Sequence, residues 1–148
     1  MPETTLQAGL RFTWNYTIPE RSTVPNLYHD TEFCREMPPV LATGYLVGMM
    51  ELACIAGLMP HLDWPREQSV GTMVNFNHIA ASTPGMQLRI EGELLEVDGR
   101  RLVFQLIAFD DLEKVSEGRH ERFIIYPEKF NAKLAQKVEK MVKAGSRE

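Results

Sequence analysis

Cysteine is scarce in this chain. Only Cys34 and Cys54 occur in 148 residues, and neither sits in a C-x-x-C or comparable spacing. That leaves no disulfide framework and no cysteine-built metal site to read. The four histidines show no H-x-x-x-H spacing with one another, so no metal is expected. A dominant charge is lacking too. The net charge of −4 gives no global reason to expect nucleic acid or an anionic membrane as partner. No basic segment followed by an apolar run opens the sequence, so no secretory leader is expected. A reducing, cytoplasmic setting is the expectation. No repeat, low-complexity tract or linker is present, and the length suits one domain over residues 1–148.

Long apolar runs are also rare. The exception is Pro39 to Pro60, apolar on every face with Glu51 as its single charge. A helix that is hydrophobic all round is either enclosed by its own protein or spans a membrane. Pro60 and His61 cut the run short for a span of about 20 residues, and a central carboxylate is expensive in lipid. Enclosure is therefore expected, with Gly44, Gly48 and Gly57 marking close contact between sheet and helix. The helix starts either with Pro39 in its first turn or with Thr43 as N-cap. A carboxylate in such a helix costs several kcal/mol unless something pairs with it or uses it. One reading of Glu51 is structural, satisfied by a neighbour such as Arg122. The other is chemical.

The rest of the chain reads as strands. Leu10 to Ile18 alternates strictly, with Leu10, Phe12, Trp14, Tyr16 and Ile18 on one face. Residues 19–38 read as a long loop with a helical turn near Asp30 to Glu36. Strands are expected over 69–80, 86–97, 101–110 and 115–126. Turns are expected at 82–85, at Asp98-Gly99, whose type I′ chemistry makes a hairpin, and at 110–114. Residues 127–145 read as a Lys-rich amphipathic closing helix with Phe130, Leu134, Val138 and Met141 on one side. Hairpin-sized connections require an antiparallel meander. The class is α+β, a curved antiparallel sheet wrapped around the long helix.

Several segments together resemble one family. They are Ala42 to Cys54, Gly71-Thr72, Asn77-His78, Glu96 to Arg101, Gly118 to Arg122, and Glu128-Lys-Phe-Asn-Ala-Lys133. The chain is similar over nearly its whole length to the fluoroacetyl-CoA thioesterases of the hot-dog fold. The resemblance implies hydrolysis of short acyl-CoA thioesters by a homodimer, with coenzyme A as part of the substrate and no cofactor. It implies catalytic roles for Thr43, Glu51 and His78, and acyl-group contacts for Gly71 and Arg122. The family's fluoroacetyl-specific member carries an aromatic gate just before the helix, and the nearest position here is Met37.

Thioester hydrolysis needs a delivered water or nucleophile and a holder for the developing oxyanion. Glu51 could activate water, or attack and form an anhydride. Thr43 lies eight residues before Glu51, which on a helix is about 80° of rotation and about 12 Å of rise. A bond between them in one helix is excluded. Thr43 is expected at the helix N-terminus, where free N–H groups favour an oxyanion. Either His78 bridges the two or a partner subunit supplies one of them. The blander roles are an N-cap for Thr43 and a satisfied core histidine for His78. His29, His61 and His120 gain no support. Arg100 and Arg101, with Lys129, Lys133, Lys137 and Lys140, are candidates for the CoA phosphates or a solvated surface. Two other readings stand beside the thioesterase. A hot-dog hydratase would need an Asp–His motif that is not found, and a binding module would keep the pocket without turnover. One sheet around one helix leaves edges that a second copy could cover.

Overall fold

The computed structural model describes residues 6–145. The N-terminal residues read above for a leader lie largely outside that range. The strands are β1 (Arg11–Thr17), β2 (Gln68–Phe76), β3 (Gln87–Asp98), β4 (Arg101–Phe109) and β5 (Lys114–Ile125). The α-helices are α1 (Val24–Leu27), α2 (Thr43–Leu58) and α3 (Pro127–Gly145). All neighbouring strands are antiparallel, in the order β1-β3-β4-β5-β2.

The alternation in β1 works as expected. Phe12, Trp14 and Tyr16 are half-buried, while Arg11, Thr13, Asn15 and Thr17 face out. The Phe12 ring wedges against Gly57 of α2, where an added Cβ would lie 2.6 Å from it. This glycine lets strand and helix close on one aromatic wedge. Leu88, Ile90 and Leu94 of β3, with Leu102, Phe104 and Leu106 of β4, build the floor under α2.

The strands do not form a simple meander. β2 lies at the far edge beside β5, and β3 pairs with β1 instead. Residues 77–86 carry the chain across. Asn77 and Ile79 donate to Glu117 and Val115, and Leu41 donates to Ser82. The 82–85 turn is therefore part of a crossing, not a hairpin. The β3–β4 hairpin is real but shifted by one residue. Asp98 pairs with Arg101, so the loop is Gly99-Arg100. Within this loop Gly99 has positive φ, at +60°, and Arg100 does not, which fits a type II′ turn and not type I′. The 19–38 loop contains 3₁₀ turns at Glu20–Ser22 and Glu32–Glu36 besides α1.

Two expectations about the helices fail. α2 is not enclosed within one chain. Leu46, Met50, Ala53, Cys54 and Leu58 are buried, but Val47, Gly48, Glu51, Leu52 and Ile55 are only half-covered. A single sheet covers one stripe of a helix, and this chain supplies one sheet. Nothing lies within 4 Å of a Cβ built at Gly48, so that glycine makes no sheet contact. α3 closes nothing either. Every residue from Glu128 to Gly145 is exposed, including Phe130, Leu134, Val138 and Met141.

Candidate active site

The site begins where α2 begins. Ala42 is the N-cap and Thr43 is the first helical residue, so neither expected start is right. The Thr43 hydroxyl makes no cap bond. It lies 2.8 Å from His78 Nδ1. His78 follows the end of β2 instead of sitting within it, because pairing with β5 stops at Phe76. A cleft of about 320 Å³ opens over the pair, walled by Val24, Val40, Leu41 and Ile79. A larger hollow on the outer face of β1 and β3 has no comparable set of groups. Burial pushes the His78 imidazole below its ordinary range, with a backbone hydrogen bond at Ala80 opposing. Its Nε2 is shut off from solvent and has no partner among the described residues.

A second cluster surrounds Glu51, halfway along α2 from Thr43. The Glu51 side chain is 38% exposed on the uncovered face of the helix, so the expected enclosure is absent within one chain. Arg122 reaches it from β5, with Nη1 donating to Oε2 at 3.0 Å. The guanidinium is almost wholly buried and makes three further bonds. Nε donates to Ser69 Oγ at 2.8 Å, Nη2 to the Ser69 carbonyl at 2.9 Å, and Nη1 to His120 Nε2 at 3.0 Å. The opposite His120 nitrogen, Nδ1, lies 2.7 Å from the Met73 carbonyl. Arginine only donates. His120 Nε2 is therefore an acceptor, and the proton sits on Nδ1. Burial pushes the His120 imidazole down and the Arg122 charge reinforces this, while the Met73 carbonyl and the Glu51 and Glu121 charges oppose it.

Gly71 is glycine because of this cluster. A Cβ there would lie 2.6 Å from Glu51 Oε2 and 3.2 Å from His120 Cε1. The register slips just beyond, between Gly71 and Met73, leaving Thr72 as an extra residue. That bulge sets Gly71 opposite Arg122 and Met73 opposite Glu121. Bulges re-aim side chains beside functional sites. The structure thus brings Glu51, Gly71 and Arg122 together in one place and Thr43 and His78 in another. Among the described residues no hydrogen bond joins the two.

The remaining candidates are scattered. Met37 ends the Glu32–Glu36 turn with its side chain half-exposed, and the more exposed Phe33 sits on the same turn. Arg100 stacks on Phe123. Arg101 is held by Glu121 at 2.9 Å and Glu96 at 3.7 Å. Lys129 lies over the Tyr126 ring, 5.8 Å from its centre. Lys133, Lys137 and Lys140 line the exposed face of α3.

Residues 25–128, which include both clusters, match the family described as fluoroacetyl-CoA-specific thioesterase. The chain belongs to this family. A fluoroacetyl-CoA thioesterase from Streptantibioticus cattleyicolor is 42% identical over 132 residues, covering 89% of this chain and 94% of the relative. A solved structure of the fluoroacetyl-CoA thioesterase FlK superposes with a TM-score of 0.85 at 42% identity, covering 89% of this chain and 97% of the other. A mutant of FlK solved with fluoroacetate and CoA gives 0.81 at 40% identity, over 84% of this chain and 99% of the other. A thioesterase-superfamily protein from Thermus thermophilus gives 0.79 at 26% identity, over 93% and 96%. The hot-dog architecture is common to family and chain.

Two residues of the second cluster escaped the sequence reading, Ser69 and His120. A signal existed for one. His120 and Arg122 share strand parity, so a buried arginine on that face implies that its neighbour two residues away meets the same surroundings.

Proposed function

We infer that this chain hydrolyses short acyl-CoA thioesters to the free acid and coenzyme A, with fluoroacetyl-CoA as a candidate substrate. Family membership supports the reaction class. The observation that carries the chemistry is the Thr43–His78 contact at the head of α2, on a helix whose only carboxylate is held by Arg122. Water adds to the thioester carbonyl, the carbon–sulfur bond breaks, and the CoA thiolate takes up a proton. Thr43 and the free N–H groups of the first helical turn stabilise the oxyanion. His78 moves the proton. Glu51 serves as general base or as nucleophile.

The working unit is a homodimer in the cytoplasm. Three observations support two copies. The uncovered face of α2 is apolar, Glu51 looks out from that face, and the buried His78 Nε2 has no hydrogen-bond partner among the described residues. A second copy laid on that face covers the stripe and can bring a carboxylate to His78. Gly71 and Arg122 border the acyl group, and Met37 takes the place of the aromatic gate. The CoA phosphates draw on Arg100, Lys129 and Lys133 more than on Arg101, whose charge is already matched by two carboxylates.

The test is free-thiol release from acetyl-, propionyl- and fluoroacetyl-CoA by the wild type and Glu51→Gln. Turnover that disappears in the variant, with CoA-ester binding kept, supports the reading. Binding without turnover in both proteins replaces the enzyme with a binding module. A monomeric mass in light scattering at micromolar concentration refutes the dimer.

A further inference from the structure

A glutamate on a half-exposed helix face has freedom that a working carboxylate cannot keep. Three torsions separate its oxygens from the backbone, and water competes for them. In this chain Arg122 Nη1 restrains it. Arg122 is itself a long side chain that needs fixing. Ser69 holds one end of the guanidinium through two bonds, and His120 holds the other.

We propose that His120 is a positioning residue: its neutral ring, anchored on Met73, accepts from Arg122 Nη1 and so fixes the guanidinium that fixes the Glu51 carboxylate over Gly71. The proposal rests on the reading of Glu51 as the acting carboxylate. Geometry separates this role from that of an ordinary core histidine. The ring is fully buried on the inward face of β5, tilted against Phe76 with centroids 5.9 Å apart. Its Met73 bond dictates which nitrogen carries the proton, and the free lone pair then points at Nη1. Nη1 is shared between His120 and Glu51, so the angle of one bond constrains the other. In the other tautomer, or in the protonated ring, two N–H donors would face each other across 3.0 Å and the guanidinium would be pushed off Glu51.

The test compares kcat and KM of three His120 variants, using whichever acyl-CoA the wild type turns over. His120→Phe keeps the ring and deletes the acceptor. Its kcat is expected to fall roughly tenfold to hundredfold, the scale of a misplacement of about 1 Å, with KM little changed. His120→Gln places an oxygen near the Nε2 position and is expected to restore most of the loss. His120→Asn can still donate to Met73 but falls short of Arg122, so it is expected to behave like the Phe variant. In an Arg122→Lys background, His120→Phe is expected to cost almost nothing further, because the partner it acts on is gone.

Wild-type kcat in His120→Phe, or an equal loss in both backgrounds, overturns the proposal. If the Phe variant does not fold, the Gln and Asn pair decides, and equal kcat in those two overturns it. Absence of turnover in the wild type would instead indict the reading of Glu51. Nitrogen NMR of His120 judges the clamp in that case. A proton on Nδ1, with Arg122 Nη protons that exchange slowly in the wild type and fast in His120→Asn, upholds it. A proton on Nε2 refutes it.

Discussion

The substitution Gly71→Ala separates the fold from the site by one methyl group. Gly71 is not among the residues with positive φ, so its backbone accepts alanine without strain. Replacing glycine at such a position stabilises by about 0.4–1 kcal/mol through the unfolded chain. The new Cβ would start 2.6 Å from Glu51 Oε2. Ordinary contact is about 3.5 Å, so the carboxylate must retreat by roughly 0.9 Å. It can, because it ends a flexible side chain facing solvent. The retreat strains the 3.0 Å bond from Arg122, and His120 and Arg122 leave little room to follow, at 3.2 and 3.4 Å from the same methyl. A shift of that size costs about a hundredfold in rate, or about 2.7 kcal/mol of transition-state stabilisation. The expected outcome is a protein whose melting temperature is level or higher and whose kcat/KM falls by one to two orders of magnitude. Thiol release and thermal melting on the same preparation measure both. Full activity in a folded Gly71→Ala protein would refute the placement of Glu51 over Gly71. Loss of folding would refute the separation of the two effects.

Thr43→Val deletes the hydroxyl that meets His78 and keeps the side chain's shape. It is expected to lose at least about tenfold in kcat while melting near the wild type, since Thr43 caps nothing. Thr43→Ser is expected to retain most activity. His78 and His120 both have lowered pKa values, so the unfolded chain takes up protons that the folded chain refuses. Stability is therefore complete above about pH 6.5, the unfolded value, and falls as pH drops below it. Melting temperatures from pH 8 to 5 check this, and the acid-side slope is expected to be shallower in His120→Gln. Burial pushes the Cys54 thiol up to about 12. A thiol reagent is therefore expected to modify Cys34 alone until the protein is denatured. Met37→Phe is expected to raise the ratio of fluoroacetyl- to acetyl-CoA turnover, and an unchanged ratio would remove position 37 from the specificity determinants.

Much of the fold was legible because period-two alternation is a local property. β1, β3 and β4 appear within two residues of their expected ends. Strand order was not legible, since alternation tells which way a side chain points but not which strand lies alongside. The crossing at 77–86 contains turn residues, and a turn looks the same whether it closes a hairpin or bends a crossover. α2 was found from its apolar run, but its enclosure was overestimated because hydrophobicity on all faces does not say how many chains supply the cover. α3 shows the same limit, with an amphipathic stripe that is exposed. Glu51 stood out as the single charge of an apolar run, with Arg122 as a possible neighbour, and the two do pair; Thr43, His78, Gly71 and Met37 were named as site residues by resemblance. What the residues did not declare was the division into two clusters, or the service of Ser69 and His120 to Arg122. Strand parity in β5 hints that His120 and Arg122 share one environment, but Ser69 reaches Arg122 only across the β2–β5 pairing, which neither strand declares when read singly.

The pairing of β1 with β3 has a consequence for how the chain is made. Arg11 meets Glu93 and Phe12 meets Gly92, about eighty residues downstream. At synthesis rates of about 5–20 residues per second, β1 waits roughly 4 to 16 s for its partner to leave the ribosome. α2 emerges in that interval with its greasy stripe bare, before β3 and β4 exist to receive it. Contacts this distant in sequence fold slowly, because the loop must close before any of them forms. The nascent chain is thus most vulnerable to aggregation midway through translation, and the arrival of β3 and β4 covers the stripe of α2 that packs on the sheet.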